Sequence, residues 1–434
     1  MIFKQQCNSN WSFGATALLV TALAWIIRTY GHYPVCHNDE VNWIDIAHQL
    51  DLGVHWPVSG PAFIQAVRLI SEEAQIKHAQ ALSALGVFGV FLSVLLLLWG
   101  YRKFALSAPG LVLAALALSS YFWAPLIESR PQQWGQMLVF TGVICAWLWL
   151  HRQGGWLYFL IVPCIAVTHI LSHAILIFLC TVLVLADFME RRPVTLRHLA
   201  VLLTLFFSLG IYLLPQGPYA AMLADLEHAQ FKKLLANSRY LLLLPVVLGI
   251  GLVLALRRFQ WRPSWTDAIS RTLERQRTAL ALSLLCIVFT ALSMQAYLLP
   301  AEAWLPYKGS WGRFVLVQSG NLMFAAFFVL GIFGLVSGIR SGVFHPNMGR
   351  LLILLLIALG LLSSLAIGAS WWMLHTNWFL RVLNYGIFFA AIVSAIGIQT
   401  STQRWPRYAR WSLLGLGTLA SVIAVVRPPE ILGC

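Results

Sequence analysis

Two adjacent carboxylates, Asp39 and Glu40, follow directly on the first long apolar segment of the chain. Charged residues make up only 10% of the sequence, so an acidic pair at the end of such a segment has two interpretations. It is either a hydrated loop end or the acid/base centre of a site built against lipid. We take the catalytic interpretation as the working hypothesis.

Cations and histidines recur at the ends of later apolar segments. Arg130 precedes Pro131, which restricts it to an extended conformation and would aim its side chain over a site. Arginines at the ends of spans also snorkel towards the interface, so phosphate binding and snorkelling are both open for Arg130 and Arg381. The candidates for binding substrate or a donor phosphate are Arg130, Glu128, His169, His173, Lys308, Arg313 and Arg381.

Two of these candidates, His169 and His173, are four residues apart and would bind a metal only if they shared one helical face. A predicted turn interrupts that face, and no HExxH motif is present. We therefore predict polar helix ends at a cavity and assign no metal ligands. Lys308 and Arg313 flank glycines at 309 and 312, which would either let a loop approach a ligand or simply make a turn.

The composition defines the framework that must position these residues. The 434 residues are 59% hydrophobic, and the mean hydropathy is +0.77. Since a membrane helix needs about 20 apolar residues, the chain is predicted to be an all-α polytopic membrane protein forming one integral-membrane domain over residues 1–434. The seven cysteines lack zinc-type spacing and are predicted to be small core residues without disulfides.

Apolar runs divide the chain into about 13 predicted transmembrane helices. The interval 31–78 is predicted to be the first outer loop, with two amphipathic helices on the membrane surface, and 79–427 the remaining transmembrane bundle. Residues 156–187 are too long for one helix and should form a hairpin turning near residues 169–173. The predicted spans are 12–30, 79–100, 106–126, 132–150, two within 156–187, 197–214, 240–256, 279–299, 315–338, 350–370, 382–400 and 411–426.

The distribution of charge predicts the orientation of these spans. Placing the N-terminus in the cytoplasm puts most Lys and Arg residues on the inner loops and the acidic pair on the outer face. The net charge of +14 is then mainly a topology signal, and no nucleic acid is needed as a partner. The densest basic run, residues 257–277, contains Trp261 and Trp265 and is predicted to be a cytoplasmic interfacial helix.

The chain resembles the GT-C glycosyltransferases, a superfamily that includes protein O-mannosyltransferases and the lipid A aminoarabinose transferase. The similarity is greatest over about the first 190 residues. The pair Asp39-Glu40 after the first span carries it, together with amphipathic helices and many spans. Further motifs are Glu128-Ser129-Arg130-Pro131, the turn Thr168-His169-Ile170-Leu171-Ser172-His173, and Asn377-Trp378-Phe379-Leu380-Arg381.

The resemblance implies a GT-C-like fold that transfers a sugar from a polyprenyl-phosphate donor to a lipid, glycan or protein acceptor. Asp39 would take the proton of the acceptor hydroxyl, and Glu40 would orient the acceptor or raise the pKa of Asp39. The implied location is the bacterial inner membrane, with the site at the periplasmic face. No cofactor is expected, although the acidic pair could hold a divalent metal ion that screens the donor phosphate.

Two other classes of protein fit a polytopic chain. A polysaccharide polymerase or ligase would rely on a long late outer loop rich in Arg and His, whereas the longest outer loop predicted here is the first, acidic one. A transporter of small molecules or lipids would show a repeat between its halves and ionisable residues near mid-bilayer. Neither feature is evident in this sequence. Membrane lipids are expected partners, and the acceptor is not identified by the sequence.

Overall fold

The computed structural model of the protein describes residues 10–31, 39–51, 60–103, 109–119, 122–123, 129–189, 195–213, 311–340, 352, 355, 358–359, 362, 377–402 and 405–426. Within these residues all regular structure is helical, which confirms the predicted all-α class. The elements are α1 (Asn10–Gly31), α2 (Asp39–Asp51), α3 (Pro61–Ala74), α4 (His78–Lys103), α5 (Pro109–Ala117), α6 (Pro131–Leu150), α7 (Tyr158–Thr168), α8 (Ile170–Met189), α9 (Leu196–Leu209), a 3₁₀ turn (Gly210–Leu213), α10 (Trp311–Arg340), α11 (Asn377–Ser401) and α12 (Arg407–Val426).

Helices long and apolar enough to cross a membrane occur in the described part of the chain at His78–Arg102, Pro131–Leu150 and Asn384–Ser401. Shorter apolar helices cover Gly14–Thr29, Tyr158–Thr168, Ile170–Leu185, Leu196–Tyr212 and Ser319–Leu335. These helices support the prediction of a membrane protein. The predicted spans 240–256 and 279–299 lie outside the described residues, and 350–370 is described at only a few positions. The total of 13 spans therefore stays a prediction.

The chain divides into two compact units. The first contains residues 1–38, 86–128 and 273–434, and the second contains residues 39–85 and 129–272. In the first unit, α10 and α11 approach closely because glycines lie at their contact. A Cβ on Gly331 would overlap the backbone of Val393, and one on Gly397 would overlap the backbone of Phe327. Small residues that let backbones meet are typical of helix packing in membranes.

The second unit contains the two helices predicted for the first outer loop. The apolar face of α3, with Phe63, Ile64 and Val67, packs against Ala47 of α2 and Leu82 of α4. The opposite face of α3 exposes Leu69 and the carboxylates of its last turn. The predicted amphipathic pair is thus present as two packed helices.

The predicted hairpin within 156–187 is confirmed. Helices α7 and α8 meet at His169, whose extended backbone (φ −160°, ψ 115°) ends the first helix and lets the second begin. Before the hairpin, Gly154 and Gly155 both have positive φ, and a Cβ on Gly155 would overlap the backbone of α6. Only glycine fits that turn without strain.

A buried polar cluster joins the ends of α6, α8 and α9 that lie away from His169. His198 Nε2 donates to Asp187 Oδ2 at 2.9 Å, and His151 Nε2 lies 3.8 Å from Asp187 Oδ1. Thr195 and His198 form a reciprocal cap at the start of α9. Asp187 therefore has a hydrogen-bond donor in His198 of α9, as a buried carboxylate requires.

Candidate functional site

Glu40 of the acidic pair is fully buried. Its Oε1 accepts a hydrogen bond from the backbone N–H of Ser129 at 2.6 Å, across 89 residues of sequence. Ser129 is also buried, and its Oγ donates to the carbonyl of Leu82 at 2.9 Å. Glu40 is therefore not a hydrated loop end, since its carboxylate ties the start of α2 to the residue before Arg130.

Asp39 opens the first turn of α2 and is the chain neighbour of Glu40. The structure describes the backbone of Asp39 in this helix. Because Glu40 is bound to Ser129, the start of α2 lies at the start of α6. The first carboxylate of the pair is consequently carried by a helix end that a buried hydrogen bond holds in place.

Arg130 has the geometry that Pro131 predicts. It is the N-cap of α6 with φ −134° and ψ 151°, and it is half-buried. A Cβ on Gly60 would lie 2.7 Å from the ring of Pro131 and 3.1 Å from the carbonyl oxygen of Thr168. The start of α3, the start of α6 and the end of α7 therefore meet beside Arg130.

His169 is close to the same place and caps α8. Its Nδ1 accepts from the backbone N–H of Ser172 at 3.2 Å and lies 2.7 Å from Ser172 Oγ. In the neutral ring this assigns the proton to Nε2. A Cβ on Gly135 would overlap Ser172 and lie 3.2 Å from His169 Cβ, so the second turn of α6 packs directly on this cap.

His173 is buried one turn further along α8, and both of its ring nitrogens have hydroxyl partners. Nδ1 lies 2.8 Å from Tyr212 Oη, and Nε2 lies 2.8 Å from Ser208 Oγ. Ser208 Oγ donates to the carbonyl of Leu205, so it accepts from His173 Nε2–H. These bonds join α8 to α9 and to the 3₁₀ turn, and a substrate could bind His173 only by displacing them. The predicted substrate role of His173 stays a prediction.

The second unit thus brings together Asp39, Glu40, Arg130, His169 and His173 at one end of its helices. No group of three or more His, Cys, Asp or Glu side chains within the described ranges could hold a metal ion. Arg313 lies in the first turn of α10, and Arg381 lies near the start of α11, both in the first unit. Glu128 and Lys308 lie outside the described residues.

Several polar residues at this end were missed by reasoning from sequence. Ser129 is the backbone partner of Glu40, and Ser208 and Tyr212 are the partners of His173. Gln133 and Gln136 are buried on the first turns of α6. Polar residues inside an apolar span often indicate function in a membrane protein, and this pattern could have identified Gln133 and Gln136 from the sequence.

Comparisons of this chain with protein-family models, with curated proteins and with solved structures find no match.

Proposed function

We propose that the protein is a glycosyltransferase that moves a sugar from a polyprenyl-phosphate donor to an acceptor at the periplasmic face of the inner membrane. The observation that carries the proposal is the buried bond from Ser129 N–H to Glu40 Oε1. It fixes an acidic helix start beside the arginine that begins α6. A base and a phosphate-binding cation are the two groups that displacement of a phosphate-linked sugar needs.

In the proposed reaction, the acceptor hydroxyl oxygen attacks the anomeric carbon of the donor sugar. The bond from that carbon to the phosphate oxygen breaks as the new glycosidic bond forms, and the configuration inverts. Asp39 takes the hydroxyl proton, and the polyprenyl phosphate leaves with the electron pair. Because phosphate is a stable anion, the leaving group needs a cation nearby and no general acid.

Arg130 is the group assigned to the donor phosphate. A guanidinium presents several hydrogen-bond donors to phosphate oxygens. The backbone of Arg130 is held on one side by Ser129, which is bonded through both its N–H and its hydroxyl. On the other side, Pro131 starts α6. The cation is thus presented from a rigid support, as a phosphate site requires.

Turnover in proteoliposomes tests this function. Purified protein is incubated with labelled polyprenyl-phosphate glucose or polyprenyl-phosphate mannose and with total membranes of the source cells as acceptor. Release of polyprenyl phosphate together with transfer of label supports the proposal. Asp45→Asn is the matched control for the Asp39→Asn variant. It neutralises an exposed carboxylate on the same helix, α2, and should retain full turnover. Absence of donor consumption by the wild-type protein with either sugar would contradict the proposal.

A further inference from the structure

Two buried glutamines on α6 carry amide atoms that have no hydrogen-bond partner in the described part of the chain. Gln133 is 3% exposed, and neither its amide oxygen nor its amide nitrogen has a partner in the described part of the chain. Gln136 is 2% exposed, and its Nε2 likewise has no partner there. Buried polar groups are nearly always satisfied, so three orphaned amide atoms on two residues within one turn indicate a polar occupant that is part of the functioning protein.

The amides share one side of α6. Residues three apart are neighbours on a helix surface, so Arg130, Gln133 and Gln136 follow one another with a rise of about 4.5 Å at each step. Gly135 faces Ser172 of α8, and Trp134 packs on the core of α2, α3 and α4. At about 100° per residue, the two glutamines lie about 100° or more from each of those directions. The two glutamines therefore lie away from those two contacts, on a further side of the helix that is also buried.

The chemistry of an amide identifies the class of occupant. Each amide offers both donors and an acceptor, and a sugar hydroxyl is likewise both donor and acceptor. An apolar polyprenyl chain would leave the amides unsatisfied. A phosphate would be better matched by the cation of Arg130, which lies one turn closer to the helix end.

We propose that Gln133 and Gln136 bind the hydroxylated ring of the donor sugar, with its phosphate at Arg130. This inference rests on the proposed function and adds the residues that bind the sugar hydroxyls. The order along α6 is then a cation for the phosphate followed by two neutral amides for the sugar hydroxyls. The apolar polyprenyl tail of the donor would lie in the lipid bilayer.

Binding of sugar-free and sugar-bearing lipids tests the proposal. The probes are polyprenyl phosphate, polyprenyl-phosphate glucose and polyprenyl-phosphate mannose, with wild type, Gln133→Met and Gln136→Met in detergent. We expect the wild type to bind at least one sugar-bearing lipid more tightly than the sugar-free lipid. Each substitution should remove about three- to tenfold of that preference. The affinity for polyprenyl phosphate should be unchanged.

The outcomes separate this inference from the proposed function. Equal binding of all three lipids by the wild type, or a preference that both variants retain, would overturn the sugar-reading role while donor-lipid binding stands. No binding of any of the three lipids would overturn both.

Thermal unfolding without lipid gives a second measurement that does not depend on the choice of sugar. Removing an unsatisfied buried amide should raise the Tm of the empty protein by a few degrees, because methionine keeps the volume without the polar atoms. The matched control is Thr141→Val on the same helix. The buried hydroxyl of Thr141 already donates to the carbonyl of Met137 at 2.9 Å, so its removal should not raise the Tm. A Tm that falls in both glutamine variants would show that the amides are satisfied within the empty protein and would contradict the proposal.

Discussion

Removal of the Glu40 carboxylate tests the contact that joins α2 to α6. Glu40→Ala deletes the acceptor of a 2.6 Å hydrogen bond and leaves the buried N–H of Ser129 without it. A hydrogen bond to a charged group contributes about 1.5 to 3 kcal/mol to stability. At about 1 °C for each kcal/mol in a chain of 434 residues, the Tm should fall by about 2 to 3 °C. Glu40→Gln keeps an amide oxygen as acceptor, so its Tm should fall by less than that of Glu40→Ala.

The assay is thermal unfolding of purified protein in detergent, with loss of helical signal as the readout. Glu72→Ala is the control, since Glu72 is 58% exposed and its side chain lies 3.7 Å from Arg68 in a surface ion pair. Surface ion pairs contribute little to stability, so the control should have the same Tm as the wild type. Equal Tm values for wild type and Glu40→Ala would refute the structural role assigned to this carboxylate.

Three further predictions test the site and its surroundings. Arg130→Ala should weaken binding of polyprenyl phosphate about ten- to a hundredfold, measured by titration in detergent, and unchanged affinity would exclude Arg130 as the phosphate ligand. Gly135→Val should lower the Tm because a Cβ there overlaps α8, whereas Gly14→Val, with open space around it, should not; equal Tm values would contradict the close packing. A topology reporter fused after Glu40 should behave as periplasmic and one fused near Arg271 as cytoplasmic, and reversed signals would overturn the assigned orientation.

Local patterns predicted the helices of the second unit. The hairpin of α7 and α8 followed from an apolar stretch too long for one helix, and the structure places its turn at His169. The extended backbone of Arg130 followed from Pro131 alone. In both cases the determinant lies within a few residues of the feature, so sequence was sufficient.

The contacts of the site could not be predicted in the same way. Glu40 can be buried because Ser129, 89 residues later, supplies a backbone N–H. Nearly every residue has a backbone N–H, so the sequence does not indicate which one binds Glu40. His173 was selected as a polar group for substrate, yet its partners Ser208 and Tyr212 become visible only when α9 and the 3₁₀ turn pack on α8. Distant pairing of this kind depends on the tertiary fold.

The proposed role of Asp39 as the base in sugar transfer is measured most directly by donor binding and turnover in Asp39→Asn. The variant keeps the shape of the side chain but cannot take the proton of an acceptor hydroxyl. We expect wild-type affinity for the polyprenyl-phosphate sugar together with about 10²- to 10⁴-fold slower transfer. Transfer at the wild-type rate, or loss of donor binding together with turnover, would contradict it.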